Sequence, residues 1–195
     1  MNNDYQRQKV YNWEKVIHRY NGFNNPKCQD TQKIVSKEEA KKYVTLLWNK
    51  YKNQLYHNFR KQYAYCSEVK IDNHKGRRRA CMYNGFYHIM DGKRILRKRK
   101  TKDGRYMFYK KMCLPKHSRD KYSMIHEISH ALAPTSCHHG IDFVNVYVYL
   151  MVRELNYKIY PIIKSLNKHG IRFDFNKSKR IYNYLNKVNR EEVKK

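Results

Sequence analysis

Residues 124–143 read Met-Ile-His-Glu-Ile-Ser-His-Ala-Leu-Ala-Pro-Thr-Ser-Cys-His-His-Gly-Ile-Asp-Phe. The core of this stretch is His126-Glu127-Ile128-Ser129-His130. On a helix, positions i and i+4 stack on one face, so both imidazoles can point at one metal ion. Glu127 falls on the flank of that face, where a carboxylate can take a proton from water activated by the metal. Ile125, Ile128 and Leu132 form the apolar stripe of the same helix, with the histidines on the neighbouring face. Ser118 or Asp120 can cap its start, and Ala133-Pro134 closes it. With 10 His and 195 residues in all, independent placement gives this pattern in roughly 2% of such chains. The residues around it therefore have to carry the argument.

Upstream of the helix stand three turn signals, Asn84-Gly85, Asp91-Gly92 and Asp103-Gly104. The pieces between them are strand-like: Arg79–Tyr83, Phe86–Met90, Lys93–Lys102 and Arg105–Cys113, which together predict an antiparallel β-meander. Further upstream, residues 5–20 read as a polar helix with Val10, Trp13 and Val16 on one side. Ser36-Lys37-Glu38-Glu39 has the form of a capping box, opening a helix that carries Ala40, Tyr43, Leu46, Leu47 and Tyr51. Downstream, residues 142–155 fit helical spacing through Phe143, Tyr147, Leu150, Met151 and Glu154, although Val144, Val146, Val148 and Val152 are β-branched. A further helix is expected over 158–168, ended by Gly170, and residues 178–195 read as a basic helical tail. The expectation is an α+β fold in one domain, 1–195, with N-terminal helices, a β-meander, the His126–His130 helix and C-terminal helices.

Lys and Arg total 43 against 16 Asp and Glu, a formal charge of +27. Such an excess attracts polyanions, nucleic acid first and an anionic membrane surface second. A bias toward AT-rich codons inflates Lys but does not account for the Arg runs. At 41% hydrophobic and 14% aromatic, the chain has the material for a packed core. Cys28, Cys66, Cys81, Cys113 and Cys137 form no C-x-x-C pair, and an odd count without secretory features suggests reduced thiols. The N-terminus lacks the apolar stretch of a signal peptide, and the run Ile141 to Val152 is too short to span a bilayer. The reading is a soluble chain with no membrane partner, in the cytoplasm, or in the host cytoplasm if phage-encoded. Oligomeric state is not legible.

Zinc held by two histidines of one helix needs a third protein ligand and keeps one position open. His139 is the leading candidate, nine residues past His130 beyond a turn that Pro134 and Gly140 permit. His138 is its direct rival, since adjacent side chains point in different directions. Asp142, Glu154 and Cys137 are weaker candidates. Singly, each of these residues reads as an ordinary helix or loop side chain. As an ordered set, they read as a zinc site of His126 and His130 with a third ligand beyond the helix stop, His139 ahead of its rival His138, and Glu127 as general base.

The segment from Met124 to Phe143, with H-E-I-S-H-A-L followed by H-G-I-D-F, resembles the active-site region of SprT-like zincin metallopeptidases. Asp4-Tyr5-Gln6-Arg7-Gln8-Lys9-Val10-Tyr11 and Glu14 also resemble the start of a poorly characterised putative metallohydrolase family of actinobacteria and phages. These resemblances imply a zincin-like fold, with Zn2+ bound by His126, His130 and His139, Glu127 as base, and a protein or peptide substrate. The chain departs from SprT and Spartan proteins in lacking a C-terminal zinc ribbon and in its shorter His130-to-His139 interval.

From Lys75 to Lys111 there are 14 Lys or Arg against Asp91 and Asp103, a net +12. Tyr83, Phe86, Tyr87, Tyr106, Phe108 and Tyr109 are interleaved with them. Cations suit phosphates and aromatic faces suit unpaired bases, so Arg77, Arg78, Arg79, Arg97, Lys98, Arg99 and Lys100 are candidates for nucleic-acid contact. A solvated sheet face would show the same pattern. The strand Arg105–Cys113 is expected to run along the cleft and pair with an extended substrate. The leading reading is a zinc-dependent metallopeptidase acting near nucleic acid. The alternative is a basic nucleic-acid-binding protein whose zinc site is structural or degenerate, and a hydrolase of a non-peptide amide is a third.

Overall fold

The computed structural model describes residues 4–19, 36–53, 55, 66–72, 81–90, 93–96, 107–115, 119–133 and 138–193. In chain order these form α1 (Arg7–Arg19), α2 (Lys37–Tyr51), β1 (Cys66–Asp72), β2 (Cys81–Met90), β3 (Lys93–Leu96), β4 (Met107–Cys113), α3 (Lys121–Leu132), α4 (Ile141–Glu154), α5 (Ile159–Lys168), a 3-10 turn (Phe175–Lys177) and α6 (Lys179–Val193). By contacts they divide into two compact units, Met1–Lys33 with Leu132–Lys195, and Ile34–Ala131. No helix among the described residues is long and apolar enough to cross a membrane.

The expected α+β, zincin-like fold with an antiparallel β-meander is corrected. Of the residues whose side chains are described, 73% are helical, and their strand content is confined to Lys111–Cys113 at the end of β4. The fold is helical. The strand backbones also fail to form a meander: their order is β1-β4-β2-β3, with β1 parallel to β4. Asn84-Gly85, read as a turn, lies inside β2, where Asn84 pairs with Lys110 and Gly85 with Tyr109. Pairing along a central strand here overrides the local turn preference of Asn-Gly. Met90 of β2 pairs antiparallel with Lys93 of β3, and Asp91-Gly92 itself lies outside the described residues. Asp103-Gly104 lies outside the described residues.

The first unit is built around α4. Phe143 through Val152 are all buried, so this helix is covered on every side, as a central helix must be. That all-round burial explains why its valines resemble a strand. Asn145, its one buried polar side chain, donates to the Asp174 carbonyl at 2.6 Å and accepts from the Asp174 N–H at 3.0 Å. In α1 the buried stripe is Val10, Trp13 and Ile17. Val16, expected to point inward, is 37% exposed, because spacings of three and four residues carry the stripe to Ile17. Trp13 Nε1 donates to Ser165 Oγ of α5 at 3.1 Å, and its ring meets Tyr147 edge-on at 6.0 Å. Helix α5 ends as the sequence predicts. Gly170 has φ +58, and Ile171 N–H returns to the Leu166 carbonyl at 3.0 Å, closing the last turn through a left-handed glycine.

In the second unit the capping box of α2 is complete. Ser36 Oγ accepts from the Glu39 N–H at 3.2 Å, and Glu39 Oε2 accepts from the Ser36 N–H at 2.8 Å. Its buried face is Ala40, Val44, Leu47, Trp48 and Tyr51. Leu46, expected inside, is 60% exposed. Asp120 caps α3, accepting from the Ser123 N–H and from Ser123 Oγ, both at 2.8 Å. Met124, Ile125, Ile128, Ala131 and Leu132 are buried along this helix, so packing rather than propensity sets its position.

Candidate metal centre

Three polar side chains are buried on α3: His126, Glu127 and Ser129. Ser129 is satisfied within the helix, donating to the Ile125 carbonyl at 2.7 Å. His126 and Glu127 are 6% and 5% exposed. Taking a carboxylate and an imidazole out of water is costly, which is why such groups concentrate at sites with chemistry to perform. His126 Nε2 and His130 Nε2 approach to 3.2 Å, with ring centroids 4.9 Å apart. Two nitrogens bound to one tetrahedral zinc at 2.0–2.1 Å would be separated by about 3.3 Å. The helix therefore presents a pair of ring nitrogens at the spacing of a zinc chelate.

His139 lies immediately before α4, whose N-cap is Gly140. It is buried, while the adjacent His138 is exposed with φ +37. That left-handed residue turns the two neighbouring histidines apart, which separates the two rivals for the third position. Asp4 accepts from the His139 N–H at 3.1 Å and lies 2.9 and 3.1 Å from Nδ1. Gln6 donates to the His139 carbonyl at 3.1 Å and to the Arg172 carbonyl at 3.2 Å, while its Oε1 accepts from the Arg172 N–H. Tyr11 and Phe143 meet the His139 ring edge-on at 5.0 and 4.9 Å.

One ligand atom from each of His126, His130 and His139 lies within 4.8 Å of the others. Asp142 and Glu154 are half-buried on α4 and outside that group, and Cys137 lies outside the described residues. Arg77, Arg78, Arg79, Arg97, Lys98, Arg99 and Lys100 also lie outside them. The expected pairing of an extended substrate with the strand ending at Cys113 is corrected. That strand, β4, is flanked on one side by β1 and on the other by β2, so its backbone groups face partner strands rather than an open edge.

Asp4 and Gln6 are the residues near the site that motif reading missed. They sit 135 and 133 positions from His139, beyond any local spacing rule. The signals in the sequence are a short polar run just ahead of an amphipathic helix and the likeness of residues 4–11 to the start of a putative metallohydrolase family, and neither points to a histidine. No family model, curated protein or solved structure matches this chain.

Proposed function

We propose that this chain is a zinc-dependent metallopeptidase in which His126, His130 and His139 hold the ion and Glu127 is the general base. The observation that carries the reading is the approach of three imidazole ligand atoms to within 4.8 Å of one another. The donor set fits the metal, since zinc takes neutral imidazoles, and three protein ligands leave a fourth position open in catalytic sites. When bound, zinc lowers the pKa of water and polarises a carbonyl.

The protein supplies the rest. Glu127 follows His126 directly on α3, and a buried carboxylate there accepts a proton and returns it to the leaving amine. The apolar side chains of α3 hold the two imidazoles and the carboxylate in fixed register, so little reorganisation is needed during reaction. The resemblance of Met124–Phe143 to SprT-like metallopeptidases supports a peptide bond as the substrate. The +27 charge supports action on proteins near nucleic acid. The test is Glu127→Gln assayed with a denatured protein substrate. It is expected to keep its zinc and lose about 10²- to 10⁴-fold in hydrolysis. Undiminished hydrolysis would remove Glu127 from the mechanism.

A further inference from the structure

The contact between Asp4 and His139 does more than tie the N-terminus down. One carboxylate binds both the backbone N–H of His139 and its ring, at 3.1 and 2.9 Å. Two attachment points from one group fix the rotation of the ring about its side-chain bonds. The pair is deep in the first unit, with side chains 5% exposed for His139 and 10% for Asp4. A carboxylate only accepts, so the proton of the neutral imidazole sits on Nδ1, and Nε2 carries the lone pair. Gln6 fixes the peptide on the other side of the ring, holding the His139 carbonyl to the Arg172 backbone. The edges of Tyr11 and Phe143 hold the ring plane.

We infer that Asp4 is a positioning residue for the third metal ligand, holding His139 in the tautomer that offers Nε2, so that Asp4 and Gln6 ahead of α1 form part of the metal centre. The inference rests on the zinc reading above. A carboxylate on the far nitrogen raises the basicity of a ligating imidazole and fixes its orientation, and removing such a partner costs about 10- to 100-fold in metal affinity. The two resemblances assign no role to Asp4, and no local motif links it to the His126–His130 helix.

Two measurements on the full chain test this. Zinc affinity, by competition with a chromophoric chelator, is compared for wild type, Asp4→Asn and Asp4→Glu. Long-range proton–nitrogen NMR of zinc-loaded wild type reads which nitrogen of His139 carries the proton. The expected results are a protonated Nδ1 with Nε2 shifted by the metal, a fall of about 10- to 100-fold in Asp4→Asn, and partial recovery in Asp4→Glu. If wild type binds zinc but His139 coordinates through Nδ1, or Asp4→Asn binds as tightly, the role of Asp4 is overturned and the zinc reading stands. If wild type binds no zinc, both fall. The NMR arm decides the matter on wild type alone should Asp4→Asn fail to fold.

Discussion

Asp4 and His139 lie 135 positions apart in sequence, yet the carboxylate of one stands 2.9 Å from Nδ1 of the other. Closing so long a loop has an entropic cost that grows only slowly with length, and a well-packed local cluster offsets it. Gln6, two residues on, is that cluster's anchor: its amide satisfies the His139 carbonyl and both backbone groups of Arg172. Gln6→Ala leaves those buried groups without their partner. The expected loss is about 2 kcal/mol of unfolding free energy, read from urea denaturation, and a change below a few tenths would show that water replaces the amide.

Gly170 separates backbone strain from crowding. A Cβ there would meet Lys9 Nζ at 3.5 Å, an ordinary contact with a flexible side chain. The cost of Gly170→Ala is then that of an L-residue at φ +58, about 1 kcal/mol. Gly170→Asn should cost less, because asparagine tolerates the left-handed region better. Equal losses in the two variants would point to crowding instead.

Asn145 stands 2% exposed among the apolar residues of α4. Its amide bonds both backbone groups of Asp174, pinning the segment ahead of the 3-10 turn. Asn145→Leu is close in volume but leaves those backbone groups unsatisfied. We expect a loss of about 1–3 kcal/mol by chemical denaturation. A neutral or stabilising result would mean the Asp174 backbone finds water.

The α2 cap carries a pH signature. The Ser36 N–H, and then the Ser36 hydroxyl, hold the Glu39 carboxyl below its ordinary value. A carboxylate depressed in the folded state stabilises the fold above its unfolded pKa, and that contribution is lost as pH falls through the lowered value. Thermal midpoints of wild type and Glu39→Gln should therefore differ near neutral pH and converge under acid, below the ordinary value of 4.5. A difference independent of pH would assign the effect of the substitution to side-chain packing.

Several features were legible from spacing because their causes are local. The capping box at Ser36 and Glu39, the Asp120 cap of α3 and the glycine ending α5 each involve residues at most a few positions apart. The facing imidazoles of His126 and His130 follow from one helical turn. Other features depend on partners that spacing cannot reveal. Asn84-Gly85 has the local form of a turn, yet pairing with Lys110 and Tyr109 of the distant strand β4 decides its conformation. The parallel partnership of β1 with β4 brings together segments far apart in sequence, an arrangement that hairpin signals between successive strands do not encode. Val16 and Leu46 are apolar yet exposed, because each helix buries only one stripe. His138 and His139 are told apart by the folded chain, through the left-handed backbone at His138 and the burial of His139. Asp4 was invisible as a site residue because its role exists only in the folded contact.

The central claim is that three histidines hold one metal ion, and metal analysis tests it most directly. Zinc content after dialysis should be about one ion per chain for wild type, and near zero for His126→Ala and His139→Ala, with His138→Ala unchanged. Wild-type protein without zinc, or zinc lost in His138→Ala and kept in His139→Ala, would contradict the account.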